Sequence, residues 1–374
     1  MREPENKNEE PPPSEAQTIV EEYSGKEVRE NSWQDLLKKS YSSAKQIAEK
    51  TGLKEEEIRA VIKKYPAKIN PYYFSLIREK DDPIWKQCIP KIEELEDTVG
   101  LEDPLREEGE VPGITHKYPD RVLFIISNQC AMYCRFCTRK RKVGDPNKDI
   151  KWSDLHKGIE YIRSHPEVRD VVLSGGDPLL IETKRLEKII KLVRAIPHVE
   201  IIRIGTRVPC VLPQRIDQEL CDMLKKYHPI YINTHFNHPS EITPESKKAC
   251  EMLADAGIPL GNQTVLLKGV NDNAEVLKEL FKKLLTIRVK PYYIYQADMV
   301  KGTDHFRTKV EDGINLIGQV IGHTSGLCVP HFVVDGAGGK TPLLPHYLQY
   351  IDDEIVILKN YQGKKYIYKQ PQQE

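Results

Sequence analysis

The segment RVLFIISNQCAMYCRFCTRKR, residues 121–141, joins a short apolar run directly to three cysteines. The run Arg121–Ile126 is rich in β-branched and aromatic side chains, which predicts a buried strand. Cys130, Cys134 and Cys137 follow it with C-x3-C-x2-C spacing. Reactive groups placed directly after a buried strand indicate an α/β protein whose site lies at the carboxyl edge of a parallel sheet.

The rest of the chain supports this fold class, because short apolar runs alternate with helical patterns after residue 117. Six further runs predict strands at Asp170–Ser174, Val199–Thr206, Ile230–Thr234, Pro259–Leu267, Pro291–Gln296 and Val329–Val334. Helical patterns between them include Arg185–Ile196, Glu245–Ala256 and Ala274–Thr286. The alternation predicts parallel strands with right-handed crossovers and leaves open whether the sheet closes into a barrel. Residues Glu354–Lys369 predict a final hairpin that turns near Gln362-Gly363.

Four regions follow from composition and pattern. Residues 1–30 are polar, charged and Pro-rich, which predicts a disordered leader. Residues 31–115 carry apolar positions at helical spacing and predict a helical region. Residues 116–300 hold the α/β core, and residues 301–374 form a C-terminal segment.

Overall charge excludes two classes of partner. The 374 residues include 56 Lys and Arg against 56 Asp and Glu, so the formal net charge is zero. A general nucleic-acid or membrane-surface binder needs a basic excess. No apolar run approaches the roughly 18 residues of a membrane helix, and no export signal is readable, so we expect a cytoplasmic protein.

The cysteine cluster predicts a metal centre. Three closely spaced thiolates can bind three irons of a [4Fe–4S] cluster, which leaves one iron open to a small molecule. A zinc site completed by a distant ligand such as His116 is the alternative, although zinc ligands usually come as two-residue knuckles. The other five of the eight cysteines are scattered, which is typical of small buried apolar residues.

Further polar groups follow the other predicted strands. Gly175, Gly176 and Asp177 follow the second strand, where glycines permit close backbone approach and a carboxylate can pair with an ammonium. The remaining groups are Arg207, His235, Asn237, Asp298 and Asp335. Because parallel strands end at one edge, we expect a single shared site.

The cysteine spacing, with the aromatic Phe136 before the last cysteine, resembles the signature of radical S-adenosylmethionine enzymes. From about Ile69 to Tyr361 the chain closely resembles the lysine 2,3-aminomutases. The segments that carry this resemblance are residues 116–121, 137–141, 173–177, 233–239, 261–267, 291–296, 305–308 and 322–340.

The resemblance implies a partial (β/α)6 TIM-like barrel with a helical N-terminal extension and a C-terminal segment that carries a pyridoxal lysine. It implies interconversion of L-α-lysine and β-lysine through a 5′-deoxyadenosyl-radical-initiated 1,2-amino shift. The implied cofactors are a [4Fe–4S] cluster on the three cysteines, S-adenosylmethionine, and pyridoxal phosphate held as a Schiff base by Lys340. The positions that match pyridoxal phosphate contacts are Lys117, Tyr118 and Arg121, and those that match S-adenosylmethionine contacts are Gly175, Gly176, Asp177, His235, Asn237 and Gln263.

Substrate choice is implied at three matching positions. Arg139 corresponds to the arginine that holds the substrate α-carboxylate, while Asp298 and Asp335 correspond to the acids that hold the distal ammonium. Two carboxylates select a cationic side chain and disfavour glutamate. Arginine remains an alternative substrate, and a non-catalytic Fe–S carrier or sensor is the alternative of another class. The resemblance also implies a flavodoxin-type or ferredoxin-type reductant and a homo-oligomer, with neither nucleic acid nor membrane as partner.

Two departures from the family pattern are visible. The stretch from Asp335 to Lys340 is shorter than in the family, so we expect a tighter path for this loop. Asn273 stands where zinc-containing members have a cysteine, and residues 364–374 contain none. We therefore expect no structural zinc and a weaker or different subunit interface.

Overall fold

The helical region begins the part of the chain that is described by the computed structural model, which comprises residues 32–107, 109, 111–336 and 338–371. The predicted leader, residues 1–30, lies outside these described residues. Among the described residues, six helices precede the sheet: α1 (Trp33–Lys38), α2 (Ala44–Thr51), α3 (Glu55–Lys64), α4 (Pro71–Phe74), α5 (Pro83–Cys88) and α6 (Glu93–Glu96). Local sequence sets the ends of α2, because Ser43 and Gln46 form a reciprocal capping box and Gly52 ends the helix in a left-handed conformation.

A nine-stranded sheet follows, and its strands are ordered in space as they are in the chain. The strands are β1 (Ile114–Tyr118), β2 (Arg121–Ser127), β3 (Asp170–Gly175), β4 (Ile201–Gly205), β5 (Ile230–Thr234), β6 (Leu260–Leu266), β7 (Val289–Gln296), β8 (His331–Gly336) and β9 (Gly339–Pro342). Strands β2 to β8 pair in parallel, and β1 and β9 add antiparallel at the two ends. The parallel run therefore extends one strand beyond the six that the resemblance implied.

Helices on the outside connect the parallel strands. They are α7 (Trp152–Ser164), α8 (Thr183–Arg194), α9 (Val208–Val211), α10 (Gln218–Lys225), α11 (Pro244–Asp255), α12 (Ala274–Thr286) and α13 (Val310–Val320). Short 3₁₀ turns lie at Pro146–Lys148, Pro178–Leu180, Pro213–Arg215, Pro239–Glu241, Asp304–Phe306 and Gly326–Cys328.

Successive side chains of each strand face either the hydrophobic core or the interior of the sheet. In β3, Val171 and Leu173 are fully buried and belong to the core cluster that includes the crossover helices. Val172 and Ser174 point the other way and line an interior cavity. Successive side chains of a strand point to opposite faces, so one strand supplies both the packing and the site.

The two ends of the sheet approach each other closely. Lys117 Nζ on β1 donates to the carbonyl of Gly336 on β8 at 3.1 Å. The Lys340 amide on β9 donates to Tyr118 Oη at 2.8 Å. These side-chain contacts bring the ends of the sheet together, so the predicted α/β barrel is confirmed as a nearly closed, mostly parallel sheet.

Most predicted elements agree with the structure to within a few residues. Ile230–Thr234 and Ala274–Thr286 have the predicted bounds. The predicted hairpin is confirmed by the pairing of β11 (Ile355–Lys359) with β12 (Lys365–Lys369), and β10 (Leu348–Ile351) completes a separate antiparallel sheet. Within the described residues, no helix has the length and apolar character needed to cross a bilayer.

Candidate active site

The interior of the sheet holds a cavity of about 410 Å³ that brings the predicted site residues together. Those that line it are Lys117, Tyr118, Arg121, Cys130, Cys134, Cys137, Arg139, Gly175, Gly176, Asp177, His235, Gln263, Asp298, Asp335 and Lys340. They come from loops and strands separated by up to 223 positions in the chain, from Lys117 to Lys340. The topology alone therefore places them around one space.

Asn237 is the predicted residue that the structure places behind the cavity wall. It is fully buried, and its Oδ1 accepts from His235 Nε2 at 3.0 Å and from the Val265 amide at 2.9 Å. Its Nδ2 donates to Gln87 at 3.0 Å. Burial, followed by the charge of Arg207, lowers the pKa of His235 to about 3, so this ring is neutral at physiological pH. Asn237 thus orients a neutral imidazole toward the cavity.

The cysteine loop provides half-buried thiols, two of which accept hydrogen bonds. Arg207 Nη1 donates to Cys134 Sγ at 2.8 Å, and the Arg139 amide donates to Cys137 Sγ at 3.3 Å. Burial raises the pKa of Cys137 to about 11, and burial together with the Asp177 carboxylate holds the pKa of Cys130 well above its ordinary value. Metal binding deprotonates such thiols, and N–H···S bonds stabilise an anionic cluster. The loop therefore suits a [4Fe–4S] cluster.

The zinc alternative depends on His116, which does not line the cavity that contains the three cysteines. His116, the suggested fourth ligand, bonds through Nδ1 to Tyr161 Oη on α7 at 3.0 Å, while its neighbours Thr115 and Lys117 line the cavity. Its ring thus lies on the other face of β1. Asn273, at the position of the family's zinc cysteine, caps α12 by accepting from the Glu275 amide.

The glycines at the end of β3 line the cavity and are also required for close packing of the backbone. A Cβ added at Gly175 would lie 2.0 Å from the Ser127 carbonyl oxygen, and one at Gly176 would lie 2.4 Å from that of Gln129. Gly175 also has φ of +135°, which side chains rarely adopt. The glycines therefore let this loop lie directly against the chain that leads to the cysteines.

Asp177 is buried and accepts hydrogen bonds from one side chain and two backbone amides. Its oxygens accept from Thr206 Oγ1 at 2.7 Å, from the Arg207 amide at 2.7 Å and from the Leu179 amide at 3.1 Å. Burial raises its pKa to about 6, although these hydrogen bonds lower it. The carboxylate that was expected to pair with a ligand ammonium is thus engaged with its own loop and with the loop after β4.

The opposite end of the cavity is built around Lys340. Its Nζ lies 3.1 Å from Asp335 Oδ2, because the two residues are cross-strand partners in the β8–β9 hairpin. The rings of Tyr118 and Tyr295 lie 5.9 and 5.7 Å from the same amine. Lys340 therefore presents a reachable amine inside an aromatic enclosure.

Cationic side chains surround this enclosure. The Arg121 guanidinium stacks over the Tyr118 ring at 4.0 Å. Lys117 and Arg203 line the same cavity, and Arg203 is paired with Asp170 at 2.9 Å. Such a set of cations beside aromatic rings suits an aromatic ligand that carries a phosphate.

Asp298 and Asp335 form an acidic end of the cavity. Burial raises the pKa of Asp298 to about 7, and the nearby carboxylates of Asp335 and Glu107 raise it as well. Two interacting buried carboxylates favour the arrival of a cation between them. This end is suited to a ligand ammonium.

Arg139 is held by a residue that the sequence did not single out. Its Nε donates to Glu107 Oε2 at 2.7 Å and its Nη2 to Glu107 Oε1 at 2.6 Å. Burial opposes the charge of Arg139, but Glu107 outweighs burial and raises the arginine's pKa. Glu107, which also lines the cavity, in turn has a lowered pKa because the attraction of Arg139 outweighs its own burial.

Two other cavity residues were missed as site components. Tyr295 lies in the run PYYIYQ, where the alternation of tyrosines was a readable signal for a strand face. Arg207 was noted only for its position after a strand. It is buried and contacts Glu241 at 2.8 Å and Gln87 at 2.6 Å, and nothing local in the sequence indicates these partners.

The class of protein follows from the cysteine loop, the barrel and family comparison taken together. Residues 124–281 match the family described as Radical SAM superfamily, and residues 317–374 match the family described as Lysine-2,3-aminomutase. The chain is therefore a radical S-adenosylmethionine enzyme, a class defined by a [4Fe–4S] cluster and bound S-adenosylmethionine.

Comparison with individual proteins narrows the class. The chain is 53% identical over 352 residues to the L-lysine 2,3-aminomutase of Fusobacterium nucleatum subsp. nucleatum, with 91% of this chain and 83% of that protein covered. It is 52% identical to the L-lysine 2,3-aminomutase of Clostridium subterminale, with 91% and 84% covered. It is 48% identical to the glutamate 2,3-aminomutase of Clostridioides difficile, with 84% and 76% covered. The chain belongs to the lysine 2,3-aminomutase family.

Proposed function

We propose that this protein is an L-lysine 2,3-aminomutase, an isomerase that interconverts L-α-lysine and β-lysine. The observation that carries the proposal is one cavity that contains the cysteine loop, the Lys340 amine, the Arg139 guanidinium and the acidic pair Asp298 and Asp335. When bound, the reduced cluster and S-adenosylmethionine supply a 5′-deoxyadenosyl radical, and pyridoxal phosphate carries the amino group that migrates.

The residues around Lys340 fit a pyridoxal phosphate site. A lysine that forms a Schiff base must be reachable, and Lys340 faces the cavity with about 29% of its side chain exposed. Tyr118 and Tyr295 would flank the cofactor ring, and Arg121 and Lys117 would neutralise its phosphate. An Fe–S electron carrier or sensor needs none of these groups, so they favour the enzyme over the non-catalytic alternative.

Charge supports lysine over glutamate as the substrate, even though one relative is a glutamate 2,3-aminomutase. Arg139 would bind the α-carboxylate, and the pair Asp298 and Asp335 would bind the ε-ammonium. A glutamate side chain would place a third carboxylate beside these two, where burial strengthens repulsion. An arginine side chain is also cationic, so arginine is the second candidate substrate.

The protein's own contribution is positioning and exclusion of water. The cavity holds both ends of an extended amino acid by opposite charges, which fixes the carbon atoms between them. Buried walls around the reacting carbons protect radical species from side reactions. We further propose a flavodoxin-type or ferredoxin-type reductant, a homo-oligomer and a cytoplasmic location.

Product analysis tests the function. The purified full chain is reconstituted anaerobically with iron, sulfide, pyridoxal phosphate and S-adenosylmethionine, reduced, and incubated separately with lysine, arginine and glutamate. NMR and mass analysis should find β-lysine from lysine alone. Cys134→Ala should abolish the cluster spectrum and the product. Conversion of arginine or glutamate without β-lysine formation would refute the substrate assignment, and no conversion by a fully loaded protein would favour the non-catalytic alternative.

A further inference from the structure

We propose that Glu107 is a positioning residue for substrate recognition: it holds the Arg139 guanidinium in the orientation that binds the α-carboxylate of the amino acid. The inference rests on the proposed function, because that function assigns the carboxylate to Arg139. It adds a residue from the segment before the barrel to the substrate site.

The hydrogen bonds of Arg139 leave one edge of its guanidinium for a second carboxylate. Glu107 accepts from Nε at 2.7 Å and from Nη2 at 2.6 Å, so it occupies the side edge. Nη1 donates to the Gly175 carbonyl at 3.0 Å and, over a longer distance, to the Ser174 hydroxyl at 3.4 Å. A guanidinium has five N–H groups, and the three shorter bonds use one each. The end edge formed by Nη1 and Nη2 can therefore donate to a ligand carboxylate in exchange for the long bond to Ser174.

Hydrogen bonds fix Glu107 in its position. A side chain that only filled the substrate's place until the substrate bound would not need them. The Glu107 amide donates to both oxygens of Asp103, at 3.2 and 3.0 Å. Its carbonyl accepts from Thr115 Oγ1 on β1 at 2.8 Å. Asp103 in turn pairs with Arg141 of the cysteine loop at 3.3 Å. Glu107 is thereby fixed to β1 and to the loop that carries Arg139.

Because Arg139 and Glu107 are largely buried, the orientation of the guanidinium depends on Glu107. The side chains of Arg139 and Glu107 are 16% and 10% exposed, so water contributes little to holding the guanidinium in place. An arginine without Glu107 would lose two charge-assisted hydrogen bonds and regain rotamer freedom. The substrate carboxylate would then have to order the side chain as it binds, which weakens binding.

Comparing the binding of two ligands distinguishes the positioning role of Glu107 from general damage to the site. Lysine carries the α-carboxylate, whereas 1,5-diaminopentane is the same molecule without it. Binding of each to the cofactor-loaded full chain is measured by anaerobic isothermal titration calorimetry, and KM and kcat for lysine are measured in parallel. For Glu107→Gln we expect lysine to bind at least tenfold more weakly and its KM to rise correspondingly, while binding of 1,5-diaminopentane changes less than twofold.

A matched surface pair provides the control. Glu200 accepts two N–H donors of Arg169, as Glu107 does of Arg139, but the two side chains are 59% and 46% exposed. Glu200→Gln should leave the binding of both ligands unchanged. Glu107→Asp keeps the charge on a shorter side chain, so it should restore part of the lysine affinity. It also serves as the test variant if Glu107→Gln fails to fold.

The outcomes are distinguishable. Tighter lysine binding in Glu107→Gln would mean that Glu107 competes with the substrate for Arg139. An equal loss of affinity for both ligands would mean that Glu107 has only a structural role. Either result overturns the proposal. Failure of the proposed function shows separately, as wild-type protein that converts another amino acid. The Glu107 comparison is then made with that amino acid and its decarboxylated form, for example arginine and agmatine.

Discussion

A buried charge cluster behind the cysteine loop allows a quantitative prediction for Glu94→Gln. The Glu94 side chain is fully buried and accepts from Arg135 Nε at 2.9 Å, from Arg135 Nη2 at 2.5 Å and from Lys140 Nζ at 3.0 Å. These two cations flank Cys137 in the chain, and Glu94 lies in α6, the last helix before the barrel. The substitution removes the negative charge and leaves both cations buried.

The magnitude follows from burial. Removing one member of a buried ion pair costs about 3–5 kcal/mol, because the remaining charge is neither solvated nor paired. The unfolding entropy of a 374-residue chain is about 0.8 kcal/mol/K near the midpoint. The expected fall in Tm is therefore about 4–6 °C. Burial already lowers the pKa of Lys140 to about 8 although Glu94 raises it, so the variant should also lose the proton of Lys140 more readily.

Thermal unfolding of the full chain, followed by circular dichroism at pH 7, provides the assay. Glu57→Gln is the control, because Glu57 pairs with Lys54 at 3.3 Å on the surface with 51% of its side chain exposed. It should not shift the midpoint measurably. A shift below about 1 °C for Glu94→Gln would refute the argument, because it would mean that the cluster is neutral or hydrated in the native state.

Three further predictions concern the cavity. The affinity for lysine should rise as pH increases through about 7, because Asp298 has a pKa raised to about 7 and must be ionised to attract an ammonium. A KM for lysine that does not change with pH around 7 would contradict this prediction. So would a KM profile that is the same in Asp298→Asn as in the wild-type protein. Gly175→Ala should abolish S-adenosylmethionine binding in equilibrium dialysis, because the new Cβ would lie 2.0 Å from the Ser127 oxygen. Lys340→Ala should retain the cluster spectrum but lose the visible absorbance of lysine-linked pyridoxal phosphate, and retention of that absorbance would place the cofactor on another lysine.

The sheet was predictable because its signal is local. The run IYINT in β5 is apolar at most positions and is bounded by Pro229 and His235, so its ends coincide with those of the strand. The three cysteines and the Gly175-Gly176 pair were equally visible, because rare residue types at short spacing stand out. Their convergence then followed from topology, since parallel strands deliver their carboxyl ends to one edge.

The ion pairs that support the site were not predictable in this way. Glu107 and Arg139 are 32 positions apart, and Arg207 and Cys134 are 73 apart. Charged residues make up 30% of the chain, so no single glutamate is distinguished by its neighbours. Only the fold determines which acid meets which cation. The sequence therefore identified Arg139 through a family resemblance but gave no indication of the residue that holds it.

These ion pairs show that the segment before the barrel supplies charged partners to the cavity and to the cysteine loop. The sequence predicted that segment only as a helical region, yet Glu107 neutralises Arg139 and Glu94 neutralises two cations of the cysteine loop. Gln87 of α5 also accepts from Arg207 at 2.6 Å, beside the bond from Arg207 to Cys134. Without these partners, the barrel would retain buried cations next to its cysteines, a costly arrangement in a low dielectric. The segment before residue 116 is therefore part of the charge balance around Arg139 and the cysteine loop, and its two glutamates offset three buried cations there.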